Sequence, residues 1–394
     1  MKNQTLVSEI VLLGFQNLHN FKIPLFSLFL LIYIMTVWEN VLIIVLVSSS
    51  RNLQSPMYFF LQQLSVCDFL ESTNIVPTLL QTIIYDKVML SFVGCMIQFD
   101  FFVATEAFEC LLLAVMSYDR YVAICIPLRY SSIMSHRVCE MLILISWMLG
   151  LTCSLLLTNI MATLQFCDQN IINHFFCDFF PLLELSCSDT FLMHITITLQ
   201  SIPVVFLPII LITVSYVCIA HAILKIVSNT GRQKAFSTCS SHLAVVSLFY
   251  GTLIAFYLFP PSKESQTMSK VLSLLYTVVT PLVNPLIYSL RSKDIRDSIY
   301  LLTTRWVHQT ADMAITDDQL KNVLIKVNAI PPVFYTLPKI HKNLEKNPGC
   351  PIVAGTDSGP NDRILTMAKG WSDRGTASTN RCGCNLTGFL VPSD

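Results

Sequence analysis

Asp119 and Arg120 stand side by side near the end of a long apolar run, within Met116-Ser117-Tyr118-Asp119-Arg120-Tyr121-Val122-Ala123-Ile124-Cys125. A charge at the edge of an apolar helix is costly and is retained for function. Two opposite charges in sequence contact suit a lock, an ion pair that holds one state and opens in another. Other ionisable residues lie deeper in the same run. Phe99, Phe102, Val103, Glu106 and Cys110 recur at three and four and so share a helix face. Glu106 is about 16 Å along that helix from Cys95. Asp68 is eleven residues from Met57, and Glu109 is eleven from Arg120, which predicts a similar depth for both. With Asn40 and Asn284 they would form a polar cluster, and two neighbouring carboxylates share a proton or hold a cation. No catalytic constellation stands out, so no enzyme is expected. The loop setting of His174 and Cys177 favours disulfide chemistry, and His341 and Cys350 are isolated.

The elements that must carry these groups are apolar. The chain of 394 residues is 53% hydrophobic and 13% charged, against roughly 25% charged in a soluble domain. Lipid is therefore the expected solvent. Its net charge of zero gives no nucleic-acid signal. A bilayer-spanning helix needs about 20 mostly apolar residues. Runs at about 24–47, 57–80, 95–121, 139–160, 195–227, 236–258 and 268–290 meet that length. The expected fold is an all-α membrane protein, a seven-transmembrane helix bundle over 24–290. The first 22 residues lack the basic and compact apolar parts of a cleavable signal, so the first helix would serve as its own membrane signal. Arg51, Arg129, Arg137, Lys225, Arg232, Lys234, Arg291, Lys293 and Arg296 follow the odd-numbered runs. The long loop at about 161–194 has no Lys or Arg. This bias predicts an extracellular N-terminus (1–23) and a cytoplasmic C-terminus. Asn3-Gln4-Thr5 is then a glycosylation acceptor on the outer side. Cys95, Cys167, Cys177 and Cys187 also fall outside, enough for two bridges with three pairings open. Residues 291–302 predict an amphipathic inner-leaflet helix, with Ile295, Ile299 and Leu302 on one face.

Several motifs in order carry a resemblance. They are Pro56-Met57-Tyr58-Phe59-Phe60-Leu61, Leu64-Ser65 with Asp68, the decamer around Asp119-Arg120, and Ser215-Tyr216. They continue with Lys234-Ala235-Phe236-Ser237-Thr238-Cys239-Ser240-Ser241-His242-Leu243, Phe249-Tyr250-Gly251, and Pro281-Leu282-Val283-Asn284-Pro285-Leu286-Ile287-Tyr288-Ser289-Leu290-Arg291. From about residue 5 to 302 the chain resembles a vertebrate odorant receptor of the rhodopsin-like, G-protein-coupled class. It departs from that pattern at Glu39-Asn40, where the family has Gly-Asn, and at Thr78 and Val283. The resemblance implies bridges Cys95–Cys177 and Cys167–Cys187. It implies an odorant pocket of Phe99, Phe102, Val103, Glu106, Gln200, Val204, Tyr250, Ile254, Tyr257 and Thr277, with Glu106 meeting a polar or cationic end of the ligand. It implies a sodium site at Asn40, Asp68 and Glu109 with Asn284. It also implies a switch in which Asp119 restrains Arg120 until Arg120 meets Tyr216, with Asn284, Pro285 and Tyr288 shaping the seventh helix. The expected partners are an odorant, membrane lipid and a stimulatory olfactory-type heterotrimeric G protein, at the plasma membrane, with no nucleic acid.

Residues 303–394 are polar and predict a largely disordered cytoplasmic tail. Phe334-Tyr335-Thr336-Leu337-Pro338-Lys339-Ile340-His341-Lys342-Asn343 and Pro351-Ile352-Val353-Ala354-Gly355 resemble a fragment of a retroelement reverse transcriptase. The aspartate pair that polymerase chemistry needs for its metals is missing from that stretch, so no polymerase activity is expected. Two other readings compete: a seven-helix proton-coupled transporter using Glu39, Asp68, Glu106 and Glu109, and a nonfunctional fusion product.

Overall fold

In the computed structural model the described residues are 8–16, 18–166, 170–226, 228–258 and 266–313. Of two compact units, Met1–Lys321 carries every described residue, and Asn322–Asp394 lies wholly outside them. The expectations for Asn3, Cys167 and the retroelement-like tail segments therefore fall outside the described residues.

Each apolar run forms helix. The order is α1 (Lys22–Ser49), α2 (Pro56–Tyr85), α3 (Phe92–Cys125), the short α4 (Tyr130–Ile133), α5 (His136–Thr163) and α6 (Phe179–Glu184). Next come α7 (Phe191–Ser201), α8 (Leu207–Leu224), α9 (Asn229–Leu258), α10 (Gln266–Leu274), α11 (Thr280–Arg291) and α12 (Lys293–Met313). Local chemistry sets the ends. Pro56 opens α2, where its fixed φ suits the first turn. Ser91 caps α3 by accepting the Gly94 N–H at 3.0 Å. A π turn joins α7 to α8 over Ile202–Phe206, and another joins α10 to α11 over Leu275–Val279. Pro203, Pro208 and Pro281 lie in or beside them, and proline removes a donor from the helical ladder.

His19–Ser49, His136–Thr163, Phe191–Leu224 and Thr267–Ser289 are long and apolar enough to cross a membrane. α2 and α3 are as long but bury carboxylates at mid-length, Asp68 and Glu71 on one and Glu109 on the other. Burial is inverted relative to a soluble domain. Leu28, Trp38, Leu144, Leu155 and Val214 point outward, while Asn40, Asp68, Glu109 and Asn284 are buried. An apolar exterior around a polar interior belongs to a helical membrane bundle.

Two expectations are corrected. The fold is mostly helical rather than all-α, because β1 (Glu9–Leu12) sits between β2 (Val88–Ser91) and β3 (Ile171–Ile172). β1 runs antiparallel to β2, pairing Glu9 with Ser91, and parallel to β3, pairing Val11 with Ile171. The N-terminal segment thus completes the backbone hydrogen bonds of two loops. The helix expected at 291–302 runs from Lys293 to Met313. Its Ile295 is buried, and Ile299 and Leu302 pack against the main core of the bundle. The apolar face predicted to lie on lipid instead covers protein.

Candidate functional site: a cavity and an ionic lock on one helix

α3 carries both parts of the site. In its N-terminal part, Phe102, Val103, Glu106, Ala107 and Cys110 face a cavity of about 150 Å³. α5 contributes Cys153 and Leu157; α7 and the π turn after it contribute Ile197, Gln200, Ser201, Val204 and Val205. α9 adds Phe249, Thr252 and Leu253, and Tyr276 comes from the second π turn. Asp178, Phe179 and Phe180 cover one side from the long loop. The disulfide Cys95–Cys177 holds that loop to α3 with a Cα separation of 5.6 Å. Gln98 reinforces it: its Oε1 accepts the Cys177 N–H at 3.0 Å, and its Nε2 donates to the Asn74 carbonyl and to Thr78 Oγ1. Cys187 is also disulfide-bonded.

Of the residues the resemblance implied for a pocket, Phe102, Val103, Glu106, Gln200 and Val204 line this cavity together. Phe99 is not; it packs with Cys95 and Cys177 behind the wall. The Tyr250 hydroxyl turns to the Cys110 carbonyl at 3.2 Å. Ile254 is 49% exposed and faces outward. Thr277 is buried with its hydroxyl donating to the Ser273 carbonyl at 2.7 Å, inside the π turn. The Tyr257 side chain lies outside the described residues. Asp178 and the two phenylalanines after it were not anticipated; their signal was the adjacent Cys177. Asp178 Oδ1 caps α6 through the Phe179 N–H at 2.7 Å, and the Tyr276 hydroxyl lies 3.4 Å from Oδ2. Burial pushes the Asp178 carboxyl up to about 6. Glu106 makes no hydrogen bond or ion pair among the described residues. Both amide atoms of Gln200 are buried without a partner.

Deeper in the bundle, Asn284 Nδ2 donates to Asp68 Oδ1 at 3.1 Å and to Glu109 Oε1 at 3.4 Å. Asn40 Nδ2 donates to the Thr36 and Pro281 carbonyls, at 2.9 and 3.1 Å. Glu71 is also buried, with Oε1 unpartnered. Its signal was its position one helical turn after Asp68. The Oδ1 atoms of Asn40 and Asn284 are buried without partners. Two carboxylates and two amide oxygens are a donor set for a hard cation. Among the described residues, no three Asp, Glu, His or Cys side chains form a metal-holding group.

At the other end of α3, Asp119 Oδ2 accepts Arg120 Nε at 2.9 Å and also pairs with Arg120 Nη2. Asp119 Oδ1 accepts the Tyr130 hydroxyl at 2.7 Å. Burial and the Asp119 charge push the Tyr130 phenol up, so it stays a donor. Tyr216 does not meet Arg120; its hydroxyl bonds His242 Nδ1 at 2.6 Å. Asp119, Arg120, His242 and Tyr288 line one small gap, and the Tyr288 hydroxyl is buried without a partner. Pro285 lies inside α11, one residue after Asn284.

The model of the olfactory receptor family matches residues 29–305. Olfactory receptor 11L1 of Homo sapiens is 46% identical over 298 residues, which are 76% of this chain and 92% of that protein. Olfactory receptor 5G3 of Homo sapiens is 48% identical over 297 residues, covering 75% and 95%. Olfactory receptor 5G25 of Mus musculus is 47% identical over 299 residues, covering 76% and 94%. An apolar cavity closed by a disulfide-held loop, an Asp119–Arg120 ion pair on the same helix and these matches across the helical bundle agree: the chain belongs to the olfactory receptor family.

Proposed function

We propose that this chain is an odorant receptor of the plasma membrane, with seven spanning helices, the N-terminus outside and the C-terminus inside. A small volatile molecule binds in the cavity on α3, and the receptor then activates a stimulatory heterotrimeric G protein. The observation that carries this reading is that one helix joins the cavity to the lock, with Glu106 and Arg120 about 20 Å apart by helix rise. A ligand shifts the balance only by binding the active state better than the resting one. In the resting arrangement Asp119 and Tyr130 hold the charge around Arg120, and Tyr216 is engaged by His242. Opening of α9 would part Tyr216 from His242 and let it meet Arg120, creating the surface for the G protein. Asn40, Asp68, Glu109 and Asn284 would hold a sodium ion that favours the resting state. The residues beyond α12, including the retroelement-like stretch, take no part in signalling.

The test is cyclic-AMP production by the full chain in cells exposed to a broad odorant panel. We expect concentration-dependent responses that vanish in Arg120→Ala while surface expression persists. A surface-expressed chain silent to every odorant would overturn the reading.

A further inference from the structure

From the polar groups of the cavity we infer a ligand class: the cavity takes small protonated amines, held between Glu106 of α3 and Asp178 of the covering loop. This rests on the reading of the cavity as the ligand site and narrows it to one chemistry. The walls are chiefly apolar, but both carboxylates reach them, and no lysine, arginine or histidine lines the cavity among the described residues. Lys270 on α10 is committed elsewhere, donating to the Gly14 carbonyl and to Asn173 Oδ1.

A carboxylate in an apolar wall needs a donor or a positive charge. Asp178 has only a partial answer, the Phe179 N–H and a Tyr276 hydroxyl at 3.4 Å. Burial raises its carboxyl to about 6. Glu106 has no partner among the described residues. Gln200 is an independent pointer, because its buried amide has neither donor nor acceptor satisfied and it lines the same cavity. An ammonium group supplies several N–H donors and a charge, so it answers Glu106, Asp178 and the Gln200 oxygen together. An apolar cavity of roughly 150 Å³ admits a benzene-sized body, which suits an amine with about six heavy atoms.

The test uses the full chain in lipid nanodiscs, with direct binding of isoamylamine and of its neutral isostere isoamyl alcohol at pH 7.4. We expect the amine to bind at least about tenfold more tightly, the ratio of a charge-assisted contact over a neutral one. Glu106→Gln should remove most of that preference, read as the ratio of amine to alcohol affinity. Asp178→Asn should reduce it without loss of the loop, since asparagine also caps helices. Equal binding of amine and alcohol, or no amine binding, by the wild-type chain overturns the proposal without reference to any variant. Cyclic-AMP production is read separately. Amine binding without signalling would count against the receptor reading and leave the amine site standing.

Discussion

At Asp119 two donors share one carboxylate: Arg120 takes Oδ2 and the Tyr130 hydroxyl takes Oδ1. Asp119 is 1% exposed, so neither contact is diluted by water. A hydrogen bond to a charged group contributes about 1.5–3 kcal/mol. If Tyr130 acts only in the resting arrangement, Tyr130→Phe weakens that arrangement by an amount in this range. We expect basal cyclic-AMP production to rise roughly tenfold or to the receptor's ceiling, with the odorant selectivity of the parent. Unchanged basal output at equal surface density would remove Tyr130 from the lock. The Asp119–Arg120 pair was legible in the sequence because the partners are covalent neighbours. Tyr130 was not, because its approach depends on how the chain turns through α4. Asp178 was missed for the same reason: a loop places it, and no helical period reaches it.

Between elements, a tight backbone constraint lies where α5 crosses α3. A Cβ on Gly150 would come within 3.0 Å of the Ala104 carbonyl oxygen and 3.3 Å of the Phe108 nitrogen. Both are backbone atoms, which cannot rotate away. The Phe108 and Trp147 rings stack beside this contact with centroids 3.9 Å apart. A larger side chain must therefore push α5 outward and part the rings. Overpacking of this kind costs about 1–3 kcal/mol. Gly150→Leu should lower the thermal-unfolding midpoint in detergent and the surface expression, with Gly150→Ala in between. A midpoint equal to that of the parent would show that the crossing has slack. Hydropathy made the helical runs legible, although π turns break two of them, at Ile202–Phe206 and Leu275–Val279. The β1–β2–β3 sheet was not, because its strands are at most four residues long and pair with distant loops. The period of α3 placed Phe102, Val103 and Glu106 on one face, the resemblance implied that this face lines a pocket, and the three residues line the cavity. On α9 the resemblance implied Tyr250, Ile254 and Tyr257, whereas Phe249, Thr252 and Leu253 line the cavity.

At the scale of the whole chain, the family match and the described residues end close together. The match reaches residue 305, and α12 continues to Met313. Among the described residues of α12, those that touch the core, Ile295, Ile299 and Leu302, lie in its first half. Ser298 Oγ lies 3.3 Å from Ser50 Oγ, and Asp294 accepts the Tyr58 hydroxyl at 2.9 Å. These contacts tie α12 to the loop after α1 and to the start of α2. Among the described residues, these contacts of α12 with the bundle all lie before residue 303. A chain ended after Met313 keeps every one of these contacts and the helical hydrogen bonds that support them. It should match the full chain in surface expression, odorant concentration dependence and maximal cyclic-AMP production. Ending after Leu302 keeps the same core contacts but strands carbonyls in the middle of the helix, which then frays. We expect that shorter form to signal with the same odorant selectivity at lower surface density. A loss of signalling on removal of residues 314–394 alone would assign that segment a role in coupling that the contacts of α12 do not provide.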